Sequence, residues 1–96
     1  MYADAWLQID TKEVQTVAGV VTQGDGYWNY YTKTYKVKVS KDGFEWKWVE
    51  CGRIFQANTV HDVKVRNVFD TPVEARYVRI YPLEYSSAMN MRAGVM

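Results

Sequence analysis

The sequence predicts an all-β domain, and three observations carry that expectation. Valine outnumbers leucine 14 to 2, beside 7 threonines and 15 aromatic residues. Such residues fit a pleated, half-buried surface, while so few leucines leave little from which to build amphipathic helices. The stretch Tyr31–Ser40 alternates strictly: Tyr31, Lys33, Tyr35, Val37 and Val39 share one face, and Thr32, Thr34, Lys36 and Lys38 the other. Finally, apolar runs recur at spacings of ~8–12 residues with turn signals between them, the rhythm of a sandwich or barrel.

The elements follow in order. Trp6–Asp10 is a short mixed strand that ends in the polar Thr11-Lys12-Glu13. Val14–Thr22 reads as a buried strand, its internal Ala18-Gly19 marking a place where another backbone or ring comes close. Gln23-Gly24-Asp25-Gly26 breaks it, and an aromatic loop, Tyr27-Trp28-Asn29-Tyr30, follows. The turn signal Lys41-Asp42-Gly43 and the renewed alternation of Phe44–Val49 make residues 31–49 a hairpin. After the short apolar Ile54-Phe55 and a polar bend over Gln56–Asp62, strands are expected at Val63–Phe69, at Ala75–Tyr81 beyond the interruption Asp70-Thr71-Pro72, and at Met89–Met96.

Composition excludes several function classes. With 96 residues the chain holds one domain and no linker. Twelve Lys and Arg against eleven Asp and Glu leave a net charge of +1, which is no footprint for nucleic acid. No apolar run approaches the ~18 residues of a membrane helix, and Met1-Tyr2-Ala3-Asp4 does not open a signal peptide. The single Cys51 forms neither an internal disulfide nor a zinc site, and it stands ten residues from the single His61 with no orienting third group. Asp25, Asp42 and Asp62 lie near turns without the spacing of a calcium loop. No catalytic residue, metal or cofactor is therefore expected, and the chain is read as non-enzymatic.

The ordered motifs are familiar. Trp6-Leu7-Gln8-Ile9-Asp10 and Val20-Val21-Thr22-Gln23-Gly24 come first, then Tyr35–Ser40 with Asp42-Gly43 and Trp46, and Phe55–Thr59. Val65–Phe69, Pro72, Ala75–Ile80, Pro82 and Met91-Arg92 complete the series. This set resembles the discoidin family, the type C domains of coagulation factors V and VIII, over nearly the whole chain. The resemblance implies a jelly-roll antiparallel β-sandwich, with residues 1–96 a single, N-terminally truncated domain. Tyr85 stands where the family often has Trp, Gly94 where it often has Glu, and the usual paired terminal cysteines are absent. Missing opening strands would leave unpaired sheet edges, which invite pairing with another chain.

The aromatic loop is the leading candidate site. Rings stack on the apolar faces of sugars, and Gln23, Asp25 and Asn29 bring hydrogen-bonding groups beside Tyr27, Trp28 and Tyr30. The same rings suit a bilayer headgroup region, or they close the end of the core. The resemblance adds that a loop here faces ligand, and the bend Tyr85-Ser86-Ser87 is read as a secondary contact beside it. A glycan is favoured over a phospholipid headgroup, because no lysine lies between Gln23 and Tyr31. Lys33, Lys36, Lys38, Lys47, Arg66, Arg76 and Arg79 read as solvated cations scattered over different faces, and Arg76 and Arg92 as structural partners of Asp10 or Asp70. Two functions stand side by side: a carbohydrate-binding adhesion module, and an assembly subunit that binds a neighbouring chain or a second copy through exposed edges. The resemblance points to the extracellular side or cell surface; the unpaired Cys51 leaves a cytoplasmic home open.

Overall fold

A computed structural model describes residues 6–24, 32–57, 64–85 and 91–96. Six strands form one antiparallel sheet: β1 (Leu7–Gly24), β2 (Thr32–Ser40), β3 (Lys47–Trp48), β4 (Phe55–Gln56), β5 (Lys64–Tyr85) and β6 (Met91–Val95). Its order is β3-β2-β5-β1-β6, with β4 also on β2.

The expected breaks at Thr11-Lys12-Glu13 and Asp70-Thr71-Pro72 are bulges inside two long strands, not strand ends. On β1, residues 11–14 stand opposite Arg76 alone, between the pairs Asp10↔Tyr77 and Gln15↔Ala75. On β5, residues 69–72 stand opposite Ala18 alone, between Val17↔Val73 and Gly19↔Val68. Extra residues on one strand bend it and leave pairing intact on either side, and such a bulge tolerates Pro72.

The bends close the sheet over a core. The first half of β5 pairs with the end of β1, while its second half pairs with β2, yet their side chains meet. Asn67, early in β5, donates from Nδ2 to Tyr35 Oη on β2 at 2.8 Å, and the Phe69 ring lies 5.7 Å from that of Phe55 on β4. Between the two layers sit Val17, Val20, Tyr35, Val37, Val39, Phe55, Phe69, Val78 and Ile80, all buried. The alternation read from β2 holds, since Tyr35, Val37 and Val39 are buried and Lys36 and Lys38 half-buried. Gly19 behaves as expected too: a Cβ there would collide with the carbonyl oxygen of Asn67 on β5.

The 31–49 hairpin pairs as expected, Lys38↔Trp48 and Val39↔Lys47, but its second strand has two residues. Asp42 Oδ1 accepts the N–H groups of Phe44 and Glu45 at 2.8 and 2.9 Å. These donors are held in the turn, not on β2, and Phe44 is 89% exposed. After β3 the chain enters a 3-10 turn, Val49–Cys51, in which Glu50 and Cys51 take the left-handed conformation at φ 51° and 57°. That costs roughly 1–2 kcal/mol per residue, and Glu50 offsets it by accepting from the Asp70 N–H at 2.9 Å and Arg53 Nη1 at 3.0 Å. Cys51 is exposed in this turn.

Candidate functional site

Asp25, Tyr27, Trp28, Asn29, Tyr30, Ser86 and Ser87 lie outside the described residues, as does His61; Gln23 and Tyr85 stand on the ends of β1 and β5. Strand register places what flanks them. Gly24, the last residue of β1, pairs with Met91, the first of β6, and Thr32, the first of β2, pairs with Tyr85, the last of β5. Gln23 pairs with Lys64, the first residue of β5. The residues flanking 25–31 and those flanking 86–90 are therefore direct neighbours at one end of the sandwich. The Lys41–Glu45 turn and the 11–14 bulge belong to the opposite end, where Ser40 and Asp10 both pair with Tyr77.

A second arrangement went unread in the sequence. Gln8 and Asp10 on β1, Tyr77, Arg79 and Tyr81 on β5, and Lys36 and Lys38 on β2 occupy the outer face of one layer, in the register Gln8↔Arg79↔Lys38. Tryptophans interleave with them. The Arg79 guanidinium lies between two rings, 4.0 Å from the centroid of Trp6 and 3.9 Å from that of Trp46. Its Nε donates to Gln8 Oε1 at 2.9 Å. Lys38 Nζ sits 4.5 Å over Trp48 and 5.5 Å over Tyr81, and Lys36 Nζ is 5.8 Å from Trp48. Trp48 meets Tyr81 edge-on at 5.2 Å, and Trp6 lies 6.3 Å from Tyr81. Lys36, Lys38 and Arg79 are thus gathered on one face, not scattered. The alternation Tyr77-Val78-Arg79-Ile80-Tyr81 carried part of the signal; the missing part was that β2 runs beside it.

Of the two partners expected for Arg76, Asp10 and Asp70, it takes Asp10. It grips the Asp10 carboxylate from Nε at 2.9 Å and from Nη2 at 3.3 Å. The Asp10 carboxyl is held below its ordinary value of 3.8 by the Arg76 hydrogen bond and, next, by the Lys12 N–H. Asp42 is likewise lowered by the N–H groups of Glu45 and Phe44, and Glu50 by the Asp70 N–H and Arg53. Each contribution to stability is present above the unfolded value, 3.8 for Asp and 4.5 for Glu, and is lost as pH falls through the lowered folded one. Melting temperature is therefore expected to hold from pH 7 to about 5 and to fall steadily below about 4. Asp10→Asn should flatten that acid slope; an unchanged slope would remove the Asp10–Arg76 pair from the account.

At the end bearing the Lys41–Glu45 turn, a cleft of about 320 Å³ is lined by Ser40, Lys41, Asp42, Glu45, Trp46 and Glu74 among others. Its lining sets Lys41 and Lys47 against the carboxylates of Asp42, Glu45 and Glu74, with Lys41 Nζ 4.0 Å from Glu74 Oε2.

Comparison with known proteins now adds to this geometry. The family model for the F5/8 type C domain matches residues 2–95. Lactadherin from Rattus norvegicus is 35% identical over 95 residues, covering 94% of this chain and 22% of its own length. The chain thus spans about a fifth of that curated relative. Recombinant discoidin II of Dictyostelium discoideum superimposes with a TM-score of 0.90 at 23% identity, over 99% of this chain and 38% of that one. The family 32 carbohydrate-binding module from C. perfringens NanJ, solved in complex with galactose, gives 0.69 at 13% identity, over 94% and 61%. The expected discoidin-like β-sandwich is the observed fold.

Proposed function

The chain belongs to the F5/8 type C domain family, and from that premise we propose that it is a non-catalytic binding module for cell-surface carbohydrate. The primary contacts are Gln23, Asp25, Tyr27, Trp28, Asn29 and Tyr30, with Tyr85, Ser86 and Ser87 as a second edge of the site. One observation supports this reading: the pairs Gly24↔Met91 and Thr32↔Tyr85 bring together the residues that flank the two segments, though some sixty positions separate them in sequence. A module of the same fold, solved with galactose, supports the ligand class. In mechanism, the flat rings stack on the apolar face of a sugar while Gln23, Asp25 and Asn29 meet its hydroxyl groups. A shallow platform buries little ligand against the entropy of association, so each site is weak and several copies act together. Such a module works at the extracellular surface.

The test is a glycan array of the wild-type chain beside Tyr27→Ala with Trp28→Ala. Removing two aromatic anchors should weaken binding at least about tenfold while the β circular dichroism stays intact. Loss of the β signal in that variant would make these rings core plugs and defeat the site.

A second reading, assembly with a neighbouring chain, has its own support. Among the described residues, Leu7–Val17 of β1 pairs only with β5, leaving its other edge open. Mass by light scattering separates the two readings: a folded monomer speaks against assembly and an obligate oligomer for it.

A further inference from the structure

We propose that the outer face of β2, β3 and β5 is a docking surface for an acidic polysaccharide. Lys36, Lys38 and Arg79 would take its sulfate or carboxylate groups, and the exposed parts of Trp6 and Trp48 its sugar rings. Its residues are distinct from those of the aromatic segment, and the inference does not depend on that segment.

Charge is the first ground. The whole chain nets only +1, yet three cations share this face. None of the ion pairs among the described residues involves Lys36, Lys38 or Arg79. The Asp10 carboxylate, on the same face, is already taken by Arg76.

The way these cations are held is the second ground. A carboxylate partner would orient a lysine and cancel its charge. Aromatic rings orient it through their quadrupole and leave the charge whole. Lys38 lies over Trp48 and Tyr81, and Arg79 is clamped between Trp6 and Trp46. Within the described residues Arg79 donates only from Nε, to Gln8, so the edge bearing its two Nη groups faces no protein acceptor. Less rotamer freedom is then lost when an anion arrives, which favours binding.

Shape is the third ground. Lys36 and Lys38 are two residues apart on one strand, about 7 Å, and Arg79 faces Lys38 across about 5 Å. The charges form a compact corner on a sheet surface, two along β2 and one across on β5, close enough to meet successive anionic groups of a polyanion. Trp6 and Trp48, each 40% exposed, lie beside them. Their rings lie against Arg79 and Lys38, so aromatic and cationic contacts for a charged sugar chain fall side by side.

The experiment measures binding of the whole chain to immobilised heparin, polygalacturonate and uncharged dextran, and to vesicles of anionic phospholipid, at about 0.1 M salt. Binding to at least one charged polysaccharide, and not to dextran, is expected. Lys36→Gln with Lys38→Gln should weaken it about tenfold. Lys41→Gln with Arg66→Gln removes the same charge elsewhere and should change it less than about twofold. Trp48→Ala alters no charge, yet by freeing the lysines it should weaken binding several-fold. Thermal melts establish that each variant is folded, and should Trp48→Ala unfold, the Lys36/Lys38 and Lys41/Arg66 variants decide alone. Tyr27→Ala with Trp28→Ala should leave this binding untouched, which separates its failure from that of the glycan site. Equal weakening by the two double charge variants, equal binding to dextran, capture by vesicles but by neither polyanion, or silence from folded protein would each overturn the proposal.

Discussion

Gly19→Ala is expected to destabilise the chain by about 3 kcal/mol, lowering its melting temperature by about 15 °C for a domain of this size. The cause is contact, not backbone conformation. A Cβ at Gly19 would strike the carbonyl oxygen of Asn67, and it would come within 3.0 Å of Val68 Cα and 2.9 Å of Met96 Cε. The Met96 methyl can swing aside, but the β5 backbone cannot. Relief requires β1 and β5 to part beside the 69–72 bulge. The hydrogen bonds closing the chain end lie at the same spot: Ala18 N–H to Met96 O at 2.7 Å, and Met96 N–H to Gly19 O at 3.0 Å. Gly94→Ala is the matched control. Among the described residues its Cβ would find only Val21 Cγ1, at 3.4 Å, so its effect should stay within about 0.5 kcal/mol. Equal melting temperatures for the two variants would mean that β1 and β5 do not approach as described.

That close approach was legible in the sequence, and the reason is physical. A glycine within a valine-rich strand gives up packing and entropy, so it signals something that leaves no room for a side chain. The inward face of β2 was legible for a similar reason, because Tyr35, Val37 and Val39 sit at a period only a strand can use. Arg76 was legible as a structural cation with Asp10 or Asp70 as partner, and the β1–β5 register selects Asp10. What escaped was continuity. Polar runs such as Thr11-Lys12-Glu13 look like ends when read locally, yet a bulge lets the ladder resume once Lys12 adopts φ 77° and its N–H finds Asp10 Oδ1 at 2.8 Å. The cation–aromatic face escaped because alternation tells which residues of one strand share a side, not which strands are neighbours. Lys38 and Arg79 stand 41 positions apart, and only the β2–β5 register brings them level. Of the aromatic site, register supports the closeness of the two flanking regions, while the contacts themselves fall on residues beyond those described.

Phe55→Ala should cost about 3–5 kcal/mol, the range for deleting a fully buried aromatic side chain. β4 is two residues long and is tied to β2 by the pairs Thr34↔Gln56 and Tyr35↔Phe55. So short a strand has few backbone bonds of its own, and its position depends on the ring. Phe55 is 1% exposed, stacked on Tyr35 at 5.5 Å and tilted against Phe69 at 5.7 Å. It therefore joins β2 to the β5 bulge across the core. Truncation opens a cavity where the layers meet, and it loosens Asn67, whose Nδ2 donates both to Tyr35 Oη and to Gln56 O at 2.8 and 2.7 Å. Tyr35 supplies a local readout beyond the melting temperature. Burial pushes its phenol up to about 12 from 10, the Asn67 bond opposing that rise. Water admitted by Phe55→Ala should draw the titration back toward 10, isolated as the difference from the same variant carrying Tyr35→Phe. The neighbouring Ile54 is 54% exposed, and Ile54→Ala should cost less than about 1 kcal/mol. If Phe55→Ala cost no more than Ile54→Ala, the two layers would be joined by something other than the Tyr35–Phe55–Phe69 stack.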